Sequence, residues 1–104
     1  MIRHMVLFTL KDDIEDSDKE YILGQAAKLA DIGTVLKFEI GTLLDPKNPE
    51  YKSRIWSDFE NALLIDFEDE AGLIAYQVDP FHVVFAKEIR ERVSALKVVD
   101  FVTP

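Results

Sequence analysis

The order in which strand and helix patterns follow one another most strongly constrains the fold of this chain. Residues 2–10 alternate as a strand does, and a helical pattern follows them. Two more strand patterns, a second helical region and a closing strand complete the chain. The order β-α-β-β-α-β is that of the split-βαβ, or ferredoxin-like, arrangement, in which helices cover one face of an antiparallel sheet. We therefore predict an α+β fold with a ferredoxin-like βαββαβ protomer.

Local signals predict where the elements begin and end. Strands are expected at 2–10, 34–43, 59–67 and 96–102. Ser17 to Glu20 reads as a capping box that starts the first helix near residue 18, and Gly33 suits a left-handed helix end. A short helix should run from Glu68 to Tyr76. Asp79 and Pro80 suit the N-cap and first position of the last helix. Its expected apolar face is Val83, Phe85, Ala86, Ile89 and Val93.

Length and composition exclude several classes of protein. A chain of 104 residues fits one domain spanning 1–104, and the absence of cysteine excludes disulfides and thiolate chemistry. Its 20 acidic and 12 basic residues give a net charge of −8, which argues against nucleic acids and anionic membranes as partners. No apolar run reaches the roughly 20 residues of a membrane span, and no signal-peptide pattern is present. A cytoplasmic location is therefore expected.

Apolar residues occur on both faces of the strands, which a sheet covered on one side does not require. Met5 and Leu7 lie opposite the main apolar face of the first strand, and Ala62 and Leu64 do so in the third. The fourth strand carries Val98 and Val99 side by side, one for each face. Something must cover the second face, and in a chain this short a second copy is the simplest candidate. The sequence therefore predicts a homodimer.

The candidate chemistry lies with two histidines and a tyrosine. His4, on the first strand, and His82, at the start of the last helix, are the only side chains with an unperturbed pKa near neutrality. Tyr76 precedes His82 by six residues and is expected to line the same pocket. Each of the three has an alternative role in packing. The histidines lack the i, i+4 spacing of a helical metal site, and no glycine-rich phosphate loop is present, so neither a metal nor a cofactor is expected.

The stretch 44–57 carries two prolines and little periodicity, so it is predicted to be a loop. Long loops in small domains are often lids or interface elements. Arg54 and Trp56, which lie in this loop, suit either closure over a ligand or packing at the dimer seam, and the sequence does not choose between them.

Three segments resemble the stress-responsive dimeric α/β-barrel family, whose members are called Dabb domains. They are the opening Ile2-Arg3-His4-Met5-Val6-Leu7-Phe8-Thr9-Leu10-Lys11, the segment Tyr76-Gln77-Val78-Asp79-Pro80-Phe81-His82 and the ending Val98-Val99-Asp100-Phe101. The resemblance implies a protomer whose sheet pairs with a second sheet to close a barrel. Strand alternation directs His4 and Asn61 to the helix side of the sheet, which predicts a site inside one protomer.

One plant protein of the family is a polyketide cyclase that closes an aromatic ring by aldol chemistry without metal or cofactor. The resemblance places His4, Tyr76 and His82 in the corresponding site, with His82 as the acid/base. Asn61 and Asp79 stand where that pattern has histidine. Asn61, Phe8 and Phe85 are the expected ligand-binding residues around them.

Three functions stay open at this point. The first is a protein that binds a small, apolar, oxygenated ligand and acts as a cyclase or lyase or only as a binder. The second is a non-catalytic stress-response or assembly protein that works as a stable dimer. The third is a barrel oxygenase that binds haem or acts directly on a quinol-like substrate. A continuous cavity touching His4, Tyr76 and His82 would favour the first over the second.

Overall fold

The computed structural model describes residues 1–50 and 59–104, and in these ranges four strands form one antiparallel sheet. The strands are β1 (Ile2–Leu10), β2 (Lys37–Thr42), β3 (Asn61–Phe67) and β4 (Val93–Val102). The helices are α1 (Asp16–Lys28), α2 (Glu70–Val78) and α3 (Pro80–Arg90), and a 3₁₀ turn at Leu29–Asp31 follows α1. The strand order β2-β3-β1-β4 confirms the predicted α+β, ferredoxin-like βαββαβ arrangement.

The central strand β1 sets the register of the sheet. His4 lies opposite Ile65 of β3 on one side and Asp100 of β4 on the other. Phe8 lies opposite Asn61, at the other end of the β1–β3 ladder. Because side chains alternate along a strand, His4 and Phe8 both point toward the helices.

The helices and the inner face of the sheet enclose one apolar core. Its buried members are Phe8, Leu10, Ile22, Ala26, Leu29, Leu63, Ile65, Phe67, Leu73, Tyr76, Phe85 and Ile89. Five of them come from β1 and β3, namely Phe8, Leu10, Leu63, Ile65 and Phe67, and the half-buried Val6 packs beside them. Burying such side chains stabilises the fold by about 1.5–3 kcal/mol each. This core fixes the position of β1 and of both later helices.

The predicted start and end of α1 were wrong. The helix begins at Asp16, with Glu15 in extended conformation and no side-chain cap, so Ser17 lies inside the first turn. The carboxylate of Asp18 is bonded instead to Arg92, with Nε and Oδ1 2.9 Å apart. At the other end the chain continues into the 3₁₀ turn, and no described glycine has a positive φ. Gly33 therefore does not provide a left-handed helix end.

Other boundaries differ from the prediction by a few residues. β2 begins at Lys37 and β3 at Asn61, later than expected, whereas β4 begins three residues early at Val93. Val93 consequently belongs to a strand and not to the face of α3. Val83 is 55% exposed and is also not part of that face, because Phe85 and Ile89 define the buried side.

The outer face of the sheet is partly apolar. Met5, Leu7, Ala62 and Leu64 are half-buried there and point away from the helices. Arg3 forms two hydrogen bonds to Asp66 on the same face, at 2.9 and 3.1 Å, and these lower the pKa of Asp66 against the opposing effect of its burial. Val98 pairs with Val6 and points to the helix side, so of the two adjacent valines Val99 belongs to the outer face.

The predicted loop at 44–57 is described only as far as residue 50. Residues 43–48 have no helix or strand, and Arg54 and Trp56 lie outside the described residues. Among the described residues, no helix combines the length and apolar character needed to cross a bilayer.

Candidate functional site

A cavity of about 210 Å³ lies between α2, α3 and the β1–β4 side of the sheet. Three polar rings, those of His4, Tyr76 and His82, line it together. The apolar part of the wall is formed by Val6, Phe85, Ala86, Ile89, Leu96 and Val98. Leu96 is 37% and Val98 51% exposed, so the cavity is open at the β4 edge. An apolar cavity of ~150 Å³ accommodates benzene, so this one has room for a single substituted ring or a short chain.

His82 is placed by the break between α2 and α3. The carboxylate of Asp79 accepts a hydrogen bond from the backbone N–H of Phe81 at 2.9 Å, and Pro80 opens the helix, as predicted. His82 Nδ1–H donates to the carbonyl of Gln77 at 3.1 Å. This bond selects the tautomer in which Nε2 carries the lone pair.

Burial lowers the pKa of His82 below its ordinary value. The hydrogen bond to Gln77 and the carboxylate of Asp79 oppose this shift, whereas the neighbouring His4 and Arg90 reinforce it. The imidazole is therefore neutral at pH 7, which is the form that can take a proton.

Acidification from pH 7 to about 5 should destabilise the wild type more than the variant His82→Asn. The unfolded chain takes up a proton at His82 near pH 6.5, while the folded imidazole, with its lowered pKa, stays neutral. The free energy of unfolding therefore falls as pH drops through 6.5 toward the folded pKa. Denaturant unfolding at a series of pH values measures the difference. Identical pH dependence in the two proteins would contradict the assigned shift.

Tyr76 lies between the two histidines. Its ring centroid is 4.4 Å from that of His82, 5.8 Å from that of His4 and 5.0 Å from that of Phe67. The residue is only 1% exposed, and burial raises its pKa. The phenol therefore stays protonated at neutral pH. In residues 1–50 and 59–104 its hydroxyl has no hydrogen-bond partner, so it is free to donate to a ligand.

His4 is oriented by Asp100 on the neighbouring strand. His4 Nδ1 and Asp100 Oδ1 are 2.5 Å apart, and the histidine is 5% exposed. A carboxylate on Nδ1 fixes the ring and leaves Nε2 for other partners. The arrangement gives each histidine an anchored Nδ1, by a carboxylate in His4 and by a backbone carbonyl in His82.

The other expected ligand residues fall in different places. Phe85 lines the cavity with His82. Phe8 is fully buried in the core and does not line the cavity. Asn61 lines a separate hollow of about 270 Å³ with Leu7 and Phe59. It pairs with Phe8, four residues from His4 and hence ~13 Å along the strand, which explains its distance from the histidines.

Sequence reasoning missed two residues near the cavity, Asp100 and Arg90. Asp100 lies on the same helix-facing side of β4 as Val98. A carboxylate on the otherwise apolar side of a strand was the signal in the sequence that could have identified it. Arg90 lines the cavity from the last position of α3. No three His, Asp or Glu side chains converge as a metal site in the part of the chain that the structure describes.

The fold and the cavity define a ferredoxin-like domain with a polar site beneath its helices, and comparisons with known proteins specify the family. The model of the Dabb family, Stress responsive A/B Barrel Domain, matches residues 2–103. This chain belongs to that family. No protein with a curated description matches the sequence.

Solved structures share the fold over nearly the whole chain. A Dabb family protein from Mesorhizobium loti is 28% identical, with a TM-score of 0.80 over 99% of this chain and 96% of its own. Hydroxynitrile lyase from Passiflora edulis is 21% identical, with a TM-score of 0.84 over 99% and 93%. A dimeric ferredoxin-like protein of unknown function from Thermobifida fusca is 24% identical, with a TM-score of 0.77 over 98% and 90%. The last two similarities are similarities of fold.

Proposed function

We propose that this protein is a cofactor-independent lyase or cyclase that makes or breaks a carbon–carbon bond beside the carbonyl of a small, mostly apolar compound. The observation that carries the proposal is the meeting of His4, Tyr76 and His82 in one cavity of about 210 Å³. Apolar walls suit the body of such a ligand, and the three rings suit its oxygen atoms. A fold shared with a hydroxynitrile lyase supports the idea that this architecture can carry lyase chemistry.

The cleavage direction illustrates the roles. His82 Nε2 takes the proton of a hydroxyl that lies β to a ketone, and the O–H electron pair forms a new carbonyl. The adjacent carbon–carbon bond breaks, and its electrons form an enolate whose oxygen receives a hydrogen bond from Tyr76. The imidazolium of His82 then returns the proton to the enolate carbon. His4, held by Asp100, binds the second oxygen.

Two copies of the chain are proposed to pair through the outer sheet face. The half-exposed residues Met5, Leu7, Ala62 and Leu64 support this, as do relatives that are described as dimeric. The same face supports the alternative function, a non-catalytic stress-response or assembly dimer. A ligand in the cavity distinguishes the two, because the alternative does not require one.

Two experiments test the proposed function. Native mass spectrometry of the freshly purified protein looks for a co-purifying small molecule. Release of benzaldehyde from the aldol adduct of benzaldehyde and acetone tests carbon–carbon cleavage directly. An empty protein that neither binds acetophenone nor cleaves this adduct would favour the assembly function.

The variant Tyr76→Phe should weaken acetophenone binding about five- to tenfold while leaving the melting temperature unchanged or slightly higher. The hydroxyl has no partner among the described residues, so its removal costs the fold little, whereas the ligand loses a hydrogen-bond donor. NMR titration and thermal unfolding measure the two effects. Unchanged affinity together with a clear loss of stability would assign the hydroxyl a structural role.

A further inference from the structure

The charge of the cavity wall differs from the charge of the protein. The chain carries −8, yet no aspartate or glutamate is among the described residues that line the cavity. Arg90 is the one residue of permanent charge in that lining. A cation at the mouth of an apolar cavity, in a protein that otherwise repels anions, indicates selection for a negatively charged group on the ligand.

Arg90 is available to such a group. In the described part of the chain, Arg3 is bonded to Asp66 and Arg92 to Asp18, each with an N–O distance of 2.9 Å. Arg90 forms no ion pair with any described residue. Its planar guanidinium can bind a carboxylate through two parallel hydrogen bonds.

The geometry of α3 relates Arg90 to the reacting end of the cavity. His82, Ala86 and Arg90 follow one another at i, i+4 and i+8, so they form a single ridge that faces the cavity. At 1.5 Å per residue, the first and last of them are ~12 Å apart along the helix axis. The small side chain of Ala86 leaves the space between them open. A ligand can therefore reach both ends at once.

We propose that the ligand is an apolar carbonyl compound with a carboxylate at its far end, and that Arg90 binds this carboxylate. The inference rests on the proposed function, because the carbonyl is placed against His82 and Tyr76. One aromatic ring, or an aliphatic segment of similar length, spans the wall of Phe85, Ala86 and Ile89 between the two polar ends. The size of the cavity sets the same limit on the ligand.

A matched pair of probes tests the proposal. Acetophenone carries the ketone and the ring, and para-acetylbenzoate adds a carboxylate opposite the ketone. NMR titrations should show para-acetylbenzoate binding the wild type about tenfold more tightly. Arg90→Gln should abolish that preference without changing the affinity for acetophenone, and Arg90→Lys should restore part of it. High salt should reduce the preference, because the cavity mouth is solvent-exposed.

Lys87→Gln is the control for a general effect of charge. Lys87 lies in the same last turn of α3 but does not line the cavity. Lys87→Gln therefore removes one positive charge from the protein and from the end of the helix, as Arg90→Gln does. If both variants reduce the preference alike, Arg90 serves only the helix end, and the inference is overturned. Equal affinity of the two probes for the wild type overturns it as well, while the cavity and the proposed function stand. If neither probe binds, the proposed function fails and the inference fails with it.

Discussion

Replacing Leu64 with aspartate should convert the proposed dimer into a monomer. Leu64 lies at the centre of the outer sheet face, between Met5 on β1 and Glu39 on β2. Covering each half-exposed apolar side chain of this face contributes about 1 kcal/mol to the free energy of dimerisation. Burying an unpaired carboxylate costs more free energy than the leucine side chain contributes. The new charge also lies beside Glu39 and repels it. Light scattering at micromolar concentration should give 11.9 kDa for the variant and about twice that mass for the wild type.

Ile74→Asp is the matched control for this experiment. Ile74 is 51% exposed on α2, away from the outer sheet face, so the same change of charge there should leave the dimer intact. A wild type that stays monomeric would contradict the proposal that two copies pair through the outer sheet face. A dimer that persists in Leu64→Asp would place the interface on another surface.

Replacing His82 with asparagine should lower the rate of carbon–carbon cleavage by ~10²–10⁴-fold, the usual contribution of a positioned acid/base. Asparagine is chosen because its amide nitrogen can take the place of Nδ1 and donate to the carbonyl of Gln77. It has no counterpart of the basic Nε2. The change therefore removes proton transfer and retains the local hydrogen bond. Steady-state kinetics with the aldol adduct, together with thermal unfolding, measure the two properties separately.

The neighbouring variant Val83→Asn controls for the substitution itself. Val83 is 55% exposed and does not line the cavity, so asparagine there should leave the rate unchanged. If His82→Asn retains full activity, His82 is not the base. If it instead loses a few kcal/mol of stability with no ligand detectable in the wild type, the ring is a structural residue.

The sheet was predictable because the order of strand and helix patterns allows few ways to arrange the strands in a chain of this length. The alternation of residues 2–10 predicted the bounds of β1, and the Asp79-Pro80 pair predicted the start of α3, since both signals act within a few residues. The predicted capping box is absent, because α1 begins at Asp16 and its N-cap residue, Glu15, forms no side-chain hydrogen bond. Asp18 binds Arg92, a residue 74 positions away, and no local rule anticipates such a partner.

The candidate site was predictable only in part. Tyr76 and His82 are close in sequence, and strand parity directed His4 toward the helices, so these three could be brought together from the pattern and the family resemblance. For Asp100 the sequence held only the signal of a carboxylate on the helix-facing side of β4. Its contact with His4 depends on the β1–β4 register, which strand alternation does not specify. Asn61 has the right parity but lies at the far end of its strand, and parity carries no information about position along the sheet.

The His4–Asp100 pair joins positions 96 residues apart, so nearly the whole chain must be in place before it forms. Contacts between distant residues form late, because they close the largest loops. Among the described strands, β4 lies at the edge of the sheet and pairs with β1 alone, and edge elements open more readily than the core. Transient detachment of β4 would release the ring of His4 while the packing of β1, β3 and the helices persists. The free energy needed to lose the orientation of His4 is thus lower than the free energy of global unfolding. Hydrogen exchange of the backbone amides of β4 would measure this local opening.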